Sequence, residues 1–354
     1  MTLSINPSQS PSSTQLYIGK KLLEGDLLFN LSTPFSYKIV LIADLALKDL
    51  FAEKLAKKLK AKLMYVESGE KAKTRKTKEK LENELLKEGY GRDTLIIALG
   101  GGSTTDVVGF LASTYMRGVP LILIPTTLLA MVDASIGGKT AINTRFGKNQ
   151  IGTIYHPKAI ISDLDVLTTL PNKEKKNGMA EILKIGLIAN SSILNSLEDL
   201  KTLVISAAKE KIAVIEKDPN EIGLRRILNF GHTIGHALEN ISHYTMPHGI
   251  AVAIGSLVES YLSMHLGYLS KEAFEKIQTL YQEFLPFYLP VTYNRKKFLQ
   301  ALSSDKKNKG KEIRFVLIDR IGHAISFNGE YCRSVTEKDL EATLLWMEEM
   351  YGKL

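Results

Sequence analysis

Hydrophobic residues in the first half of the chain form short continuous runs that alternate with amphipathic stretches. The runs predict five strands, at residues 38–43, 62–66, 94–99, 121–125 and 159–161. The stretches between them, such as residues 47–59, place apolar side chains three and four positions apart, which is typical of helices. Near-continuous apolar strands separated by helices predict a parallel sheet that is covered on both faces.

The pattern changes at Leu170-Pro171. Longer stretches with helical spacing follow, at residues 182–194 and 227–241, and two apolar runs at 314–318 and 324–327 predict a small hairpin. A chain of 354 residues also exceeds the size at which one hydrophobic core usually stops growing. We therefore predict a Rossmann-like α/β domain over residues 1–170 and a mainly α-helical domain over residues 171–354.

The composition predicts a cytoplasmic globular protein. Hydrophobic residues make up 44% of the chain and charged residues 24%, and no apolar run is long enough to span a bilayer. The first ten residues lack the basic and apolar segments of a secretory signal. A single cysteine, Cys332, cannot build a disulfide framework, which fits a reducing compartment.

The net charge of +8 raises the question of an anionic partner. Much of the excess lies at residues 71–80, and a run of this kind is usually the solvated face of a helix. It lacks the interleaved aromatic residues that stack on bases. We therefore expect a small-molecule ligand, and neither nucleic acid nor a membrane as partner.

Three glycines directly follow the third predicted strand. Gly100, Gly101 and Gly102 lead through Ser-Thr-Thr to Asp106 and a predicted helix. Glycines let the backbone approach a pyrophosphate closely, and a helix N-terminus supplies N–H groups and partial positive charge. Because the string is not G-x-G-x-x-G, a simple tight turn is the alternative interpretation. The strand–loop–helix context favours pyrophosphate binding.

Two lysines lie close in sequence to the end of the fourth predicted strand. Thr126 and Thr127 follow that strand, where ligands bind in open α/β sheets. A Gly-Gly pair then places Lys139 on a turn, and Lys148 follows beside Asn149. Either lysine alone would more often be solvated, but two of them near a strand-end loop favour an anion site.

Polar residues form a stripe in the second half of the chain. Arg225, Asn229, His232 and His236 are spaced 4, 3 and 4 apart, which puts them on one face of a helix. A lone buried histidine usually needs only a hydrogen-bond partner. A second histidine and an arginine on the same face favour a functional site instead.

A carboxylate and a third imidazole complete a possible metal site. Glu181 and Lys184 are three apart on a predicted helix, where the alternative interpretation is a simple ion pair. His248 lies at a turn before another helix. One carboxylate with imidazoles suits Zn²⁺ and leaves coordination positions for substrate. The spacing does not decide which histidine binds metal and which performs acid–base chemistry.

With these motifs in this order, the sequence closely resembles the 3-dehydroquinate synthase family of sugar-phosphate cyclases. The resemblance runs from about Asp44 to about Gly310. It rests on the following strings: Gly100-Gly-Gly…Asp106, Pro125-Thr-Thr, Asp133…Gly137-Gly-Lys139, Gly147-Lys-Asn149, Leu170-Pro, Ala180-Glu-Ile-Leu-Lys184, Leu228-Asn-Phe-Gly-His-Thr-Ile-Gly-His236, His248-Gly and Asp305-Lys-Lys. Two departures are Ser103-Thr-Thr, where the family commonly has valine, a hydrophobic residue and glycine, and Ala46, where it is often polar.

The resemblance implies which residues bind the metal, NAD and the substrate. The divalent metal, zinc or cobalt, is held by Glu181, His232 and His248, while His236 contacts the substrate. The implied NAD contacts are Asp44, Glu70, Lys73, Gly100, Gly101, Gly102, Asp106, Thr126, Thr127, Lys139, Lys148, Asn149 and Thr169. The implied substrate-phosphate contacts are Lys139, Asn149, Lys306 and Lys307. The substrate carboxylate is assigned to Lys211 and Arg225, and its hydroxyls to Asp133, Lys184 and Asn229.

The reaction that the resemblance implies converts 3-deoxy-D-arabino-heptulosonate 7-phosphate to 3-dehydroquinate and phosphate. NAD⁺ transiently oxidises a ring alcohol, phosphate is eliminated, the hydride returns, the ring opens, and an intramolecular aldol closes the carbocycle. His236 is the residue expected to handle the proton during ring opening. The family also implies a homodimer.

Three alternatives remain. Iron-containing alcohol or glycerol dehydrogenases combine a similar loop and helix but release NADH and need no phosphate site. The set Lys139, Lys148 and Asn149 and the pair Lys211 and Arg225 argue against them. Cyclases acting on glucose 6-phosphate or sedoheptulose 7-phosphate need no carboxylate site, so Lys211, Arg225 and His236 together argue against those. A non-catalytic NAD-binding protein would carry the polar stripe only by accident.

Overall fold

The computed structural model describes residues 1–6, 13–32, 38–284, 289–290, 292–303 and 312–352. The chain divides into two compact units, Met1–Lys175 and Lys176–Leu354. Among the helices of these described residues, none is both long enough and apolar enough to cross a membrane.

The first unit is built on a seven-stranded sheet and a two-stranded hairpin. In chain order the strands are β1 (Thr2–Ile5), β2 (Thr14–Gly19), β3 (Lys38–Asp44), β4 (Lys62–Val66), β5 (Thr94–Gly100), β6 (Leu121–Pro125), the hairpin β7 (Lys139–Thr144) and β8 (Gly147–Ile154), and β9 (Ala159–Asp163). The sheet order is β1-β2-β9-β6-β5-β3-β4, and every pair is parallel except β1 with β2. All five predicted strands lie in its parallel part, so the predicted α/β sheet is confirmed.

Helices lie between the strands as the periodicity predicts, but the predicted stretch 47–59 is α-helical only from Glu53, after a turn of π-helix at Lys48–Ala52. The α-helices are α1 (Leu27–Ser32), α2 (Glu53–Leu59), α3 (Arg75–Lys87) and α4 (Gly102–Thr114). Strands β5, β6 and β9 are buried along their whole length, which explains why they carry no alternation of apolar and polar residues. On the charged helix α3, Leu81 and Leu85 are the buried residues.

Two features of the first unit differ from the predicted pattern. The residues before the first predicted strand contribute β1 and β2, and β1 pairs antiparallel at the sheet edge. The segment around Lys139 and Lys148 forms an antiparallel hairpin, with a register shift between Ile142 and Thr144, rather than isolated turns. In β8 the polar and apolar residues are half-exposed or exposed, so this strand has no continuous apolar run to reveal it.

The second unit is mainly helical. Its helices are α5 (Asn172–Ile188), which begins just before the boundary, α6 (Leu200–Lys217), α7 (His232–Ile241), α8 (His248–His265), α9 (Lys271–Phe284), α10 (Arg295–Ser303) and α11 (Glu337–Tyr351). Its short strands are β10 (Arg314–Phe315), β11 (Ile318–Arg320), β12 (His323–Ala324) and β13 (Arg333–Ser334). The predicted hairpin is right for β11 with β12, but β10 pairs with β13 instead.

The continuous helix predicted over residues 227–241 is wrong. Residues Leu224–Asn229 form a 3₁₀ helix, Gly231 adopts a left-handed φ of 77°, and α7 begins only at His232. The break has a packing cause, because a Cβ on Gly255 of α8 would lie 1.9 Å from the carbonyl oxygen of Gly231. Only glycine permits this backbone approach and this φ. The contact fixes the start of α7, and with it His232, against α8.

Candidate metal and nucleotide sites

Glu181, His232 and His248 converge in the second unit. Glu181 lies on α5, His232 is the first residue of α7, and His248 is the first residue of α8. One ligand atom from each lies within 4.8 Å of the other two. The Nε2 atoms of His232 and His248 are 3.6 and 3.3 Å from Oε1 of Glu181, which is fully buried.

The other nitrogen of each imidazole faces an acceptor. Nδ1 of His232 lies 3.1 Å from the carbonyl oxygen of Phe230, and Nδ1 of His248 lies 3.1 Å from Oε2 of Glu239. Carbonyl and carboxylate oxygens only accept, so both Nδ1 atoms carry protons. The Nε2 atom of each ring therefore lies on the Glu181 side, where a metal ion would take the place of a proton. This is the arrangement by which outer-shell acceptors orient metal-binding histidines.

The charges around the cluster favour a cation. Burial alone would lower the pKa of His248, but the carboxylates of Glu239 and Glu181 outweigh it and raise the pKa to about 10. The same negative potential attracts a divalent ion, which would replace the proton on Nε2. One carboxylate oxygen and two imidazole nitrogens are a ligand set of catalytic zinc sites, with a position left open for substrate. The residues present thus fit a divalent metal.

The cluster separates His236 from the other two histidines. Its ring centroid is 5.2 Å from that of His232 and 6.3 Å from that of His248, so it adjoins the cluster, yet it is not one of the three grouped residues. Its side chain is exposed. His232 and His248 face Glu181, and His236 lies beside them. The assignment of the metal and proton-transfer roles stays a prediction.

Buried cations also occupy this unit. Lys184 forms an ion pair with Glu181, and its Nζ donates to the carbonyl oxygen of Leu228 at 2.8 Å. Lys211 on α6 and Arg225 in the 3₁₀ helix are both buried. Asn229 donates through Nδ2 to Glu221 at 2.7 Å. Because the helix is broken at Gly231, Arg225 and Asn229 do not continue the face of α7 as the stripe had predicted.

Asp218 holds the backbone that carries Arg225. Its carboxylate accepts from the backbone N–H groups of Ile222, Gly223 and Arg225 at 3.1, 2.8 and 2.9 Å. Burial alone would raise the pKa of Asp218, but these three donors outweigh it and hold the pKa below 3.8. The Arg225 guanidinium donates to the carbonyl oxygen of Pro219 at 2.8 Å.

Two residues next to the metal cluster, Glu239 and Asn177, were not predicted from the sequence. Glu239 lies on α7 three residues after His236, so extending the polar stripe by one step would have found it. Asn177 lies four residues before Glu181 on α5, and its Oδ1 accepts from the backbone N–H of Gly249. A Cβ on Gly249 would lie 2.2 Å from the carbonyl oxygen of Asn177, which explains the glycine after His248. No sequence spacing reveals that contact.

In the first unit, most of the predicted NAD contacts follow the carboxyl ends of parallel strands. Asp44 ends β3, Gly100 ends β5, Glu70 and Lys73 follow β4, Thr126 and Thr127 follow β6, and Thr169 follows β9. These strands are neighbours in the sheet. Because the carboxyl ends of adjacent parallel strands meet at one edge, the residues share that edge, where ligands bind in open α/β sheets.

A network of side chains joins three of these segments. Nζ of Lys73 lies 2.6 Å from Oδ2 of Asp106 and 2.5 Å from Oδ1 of Asn149. The Lys73 side chain is only 4% exposed, so the one buried lysine of the basic run departs from the predicted solvated face. The network ties the loop after β4 to α4 and to the β7–β8 hairpin.

A second part of the network involves Glu70. Its carboxylate accepts from Nδ2 of Asn143 at 2.5 Å and from Oγ of Ser103 at 3.2 Å. Burial would raise the pKa of Glu70, but Lys73 and Lys148 outweigh it and lower the pKa. Burial raises the pKa of Asp106 more than the nearby Lys73 lowers it, so the pKa of Asp106 lies above its usual value. Ser103, a departure from the family pattern, is thus an additional partner for Glu70.

The glycine loop packs too closely for side chains. Gly101 is the N-cap of α4, and the Gly100 carbonyl oxygen accepts from the backbone N–H of Thr126 at 2.9 Å. A Cβ on Gly100 would lie 2.6 Å from Cβ of Thr104. The glycine at position 100 therefore allows the close packing of this loop against the first turn of α4, the kind of helix N-terminus at which phosphates bind.

For the other predicted site residues of the first unit, the structure gives the element and the exposure. Lys139 begins β7 and is exposed, Lys148 lies on β8 and is partly buried, and Asp133 lies in a turn of π-helix after β6. Lys306 and Lys307 lie outside the described residues.

Solved structures with the same fold include a sugar-phosphate cyclase and, as a likeness of fold alone, a glycerol dehydrogenase. The 2-epi-5-epi-valiolone synthase of Streptomyces hygroscopicus subsp. jinggangensis 5008, solved with NAD⁺ and Zn²⁺ bound, has a TM-score of 0.83 at 26% identity and covers 98% of this chain and 99% of its own. Glycerol dehydrogenase from Schizosaccharomyces pombe has a TM-score of 0.63 at 18% identity, with 98% and 93% covered.

Sequence relatives narrow the class. The family models for the N-terminal and C-terminal domains of 3-dehydroquinate synthase match residues 63–177 and 178–308. The 3-dehydroquinate synthase of Campylobacter concisus (strain 13826) is 38% identical over 359 residues, which cover 97% of this chain and 99% of the relative. The chain belongs to the 3-dehydroquinate synthase family.

Proposed function

We propose that this chain converts 3-deoxy-D-arabino-heptulosonate 7-phosphate to 3-dehydroquinate and phosphate, as a phosphate-eliminating carbon–oxygen lyase of the shikimate pathway. The observation that carries the proposal is the near-complete overlap with the Campylobacter relative, which spans both units. The glycerol dehydrogenase, in contrast, shares the fold alone.

Each unit would hold one cofactor. The residues at the sheet edge of the first unit, with Lys73, Asp106 and the glycine loop, would hold NAD, and Glu181, His232 and His248 would hold a divalent zinc or cobalt ion. When bound, NAD supplies reversible hydride transfer, and the cation supplies a Lewis acid that stabilises negative charge on oxygen. The metal assignment is supported by the two Nε2 atoms, which lie on the Glu181 side while each Nδ1 faces an acceptor.

Basic side chains of both units would bind the anionic groups of the substrate. Lys211 and Arg225 would bind its carboxylate, because a buried guanidinium offers a rigid fork of donors to such a group. Lys139 and Asn149 would contact the phosphate, together with Lys306 or Lys307. Asp133, Lys184 and Asn229 would hold the hydroxyls.

His236 would move the proton during ring opening. His236 is exposed and lies beside the metal cluster, but it is not one of the three residues that form the cluster. We therefore expect its ring to exchange protons with substrate or solvent. The departing phosphate can accept a proton itself, and we assign no protein base to the elimination step. A homodimer and a cytoplasmic location remain predictions from the sequence.

The test compares two substrates in the presence of NAD⁺ and zinc. With the heptulosonate phosphate we expect 3-dehydroquinate and phosphate in equal amounts and no net NADH, because the hydride returns within each turnover. With glycerol we expect no NADH. Continued NADH accumulation from glycerol would show a dehydrogenase, and turnover of sedoheptulose 7-phosphate in preference would show a different cyclase.

A further inference from the structure

Glu239 is a buried carboxylate that the proposed reaction does not use. It lies on α7 with only 4% of its surface exposed, seven residues after His232 and three after His236. These spacings place all three on one side of the helix. Its Oε2 lies 3.1 Å from Nδ1 of His248, which is on the next helix, α8.

Hydrogen-bond chemistry gives this contact a direction. A carboxylate only accepts, so the Nδ1 of His248 donates to Glu239, and Nε2 is the ring nitrogen left for a metal ion. Nε2 lies on the Glu181 side, 3.3 Å from Oε1. His248 thus spans two carboxylates, one of which would share the metal ion with it and one of which fixes its tautomer and ring plane.

His232 provides an internal comparison. Its Nδ1 faces the carbonyl oxygen of Phe230, a neutral acceptor on the same chain segment. For His248 the acceptor is an anion on a different helix. A charged acceptor makes the stronger hydrogen bond and increases the basicity of the opposite nitrogen. The two histidines are therefore oriented alike, and the acceptor for His248 is a side chain that can be replaced.

We propose that Glu239 is a positioning residue that orients His248 and thereby sets the affinity of the site for its divalent metal. This inference rests on the proposed metal site. Removal of such an outer-shell partner typically lowers metal affinity about 10–100-fold. Glu239 itself is not proposed to touch the metal, the substrate or NAD.

The test measures zinc affinity by competition with a coloured chelator for the wild type, Glu239→Leu, Glu239→Gln and His248→Ala. Glutamine keeps an acceptor oxygen but loses the charge, so we expect affinity to fall in the order wild type, Gln, Leu, with a loss of about 10–100-fold for Leu. His248→Ala should lose more. Asn240→Ala, an exposed neighbour on the same helix, should bind zinc like the wild type.

Cobalt substitution supplies a second readout that a general loss of stability would not change. The visible spectrum of bound Co²⁺ reports its ligand geometry, so we expect it to change in Glu239→Leu and to be restored toward wild type in Glu239→Gln. If the leucine variant does not fold, the zinc affinity of the isosteric glutamine variant decides alone. Wild-type affinity in both Glu239 variants, with zinc lost in His248→Ala, would overturn this inference only. Wild-type affinity in His248→Ala would overturn the metal site as well.

Discussion

Lys73 illustrates, at the scale of single residues, how a charge is tolerated inside the first unit. It belongs to the most basic stretch of the chain, yet its ammonium group is buried between the carboxylate of Asp106 and the amide oxygen of Asn149. A buried charge requires partners of this kind, because losing one of them leaves the other desolvated without compensation.

Replacing this lysine should therefore destabilise the fold. For Lys73→Met we expect the free energy of unfolding to fall by about 3 kcal/mol, the lower end for a broken buried pair, since the Asp106 side chain is 17% exposed. Urea unfolding measures the change. Lys71→Met, an exposed neighbour in the same stretch, should shift it by less than about 0.5 kcal/mol. Equal effects of the two substitutions would contradict the buried role of Lys73.

The three histidines near Glu181 should differ in metal content. We expect His248→Ala and His232→Ala to lose zinc affinity by more than the about 100-fold that outer-shell changes reach, because each removes a proposed ligand. His236→Ala should keep the zinc and lose about 100-fold in turnover, since it removes only a proton carrier. Zinc per chain after dialysis, with the rate of phosphate release, separates these outcomes. Zinc loss in His236→Ala would reverse the roles assigned to His232 or His248.

At the scale of elements, the 3₁₀ helix Leu224–Asn229 depends on one carboxylate. Asp218 accepts from three backbone N–H groups ahead of it and within it. Asp218→Ala removes all three acceptor bonds, and we expect a loss of about 2 kcal/mol in unfolding free energy, the upper end for a cap residue. Lys217→Ala, the exposed neighbour, should have little effect.

This stabilisation should depend on pH. The pKa of Asp218 is held below 3.8 in the folded chain, so the folded state binds its proton more weakly than the unfolded state does. The contribution is therefore complete above pH 3.8 and is lost as the pH falls through the folded pKa. The difference in unfolding free energy between wild type and Asp218→Ala should shrink over that range. A difference that stays constant below pH 3.8 would argue against the carboxylate as cap.

Some helices and strands could be predicted from local sequence patterns, and others could not. The buried parallel strands were predictable because each is a continuous apolar run between turns, and the start of α8 was predictable from Pro247-His248. The break at Gly231 was not, because its cause is the approach of Gly255, which is distant in sequence. The metal residues could be suspected from their types and spacing. Their convergence depends on three helices whose packing no local pattern encodes.

At the scale of the whole molecule, the two units carry different chemistry. The first collects its polar residues at the carboxyl edge of a parallel sheet, and the second collects a carboxylate and two imidazoles at the starts and interior of its helices. Matches to the N-terminal and C-terminal family models meet at residues 177 and 178, close to the boundary between the units at Lys175 and Lys176. A cyclase requires both a redox cofactor and a Lewis acid, so neither unit alone accounts for the reaction.

The most direct measurement is phosphate release from 3-deoxy-D-arabino-heptulosonate 7-phosphate by the full chain with NAD⁺ and zinc, before chelator treatment, after it, and after zinc is restored. We predict stoichiometric phosphate release in the complete mixture. Chelator should lower the rate of release by at least about 100-fold, equivalent to about 2.7 kcal/mol of activation free energy, and zinc should restore it. No release in the complete mixture, or release that persists undiminished without metal, would contradict the proposed function.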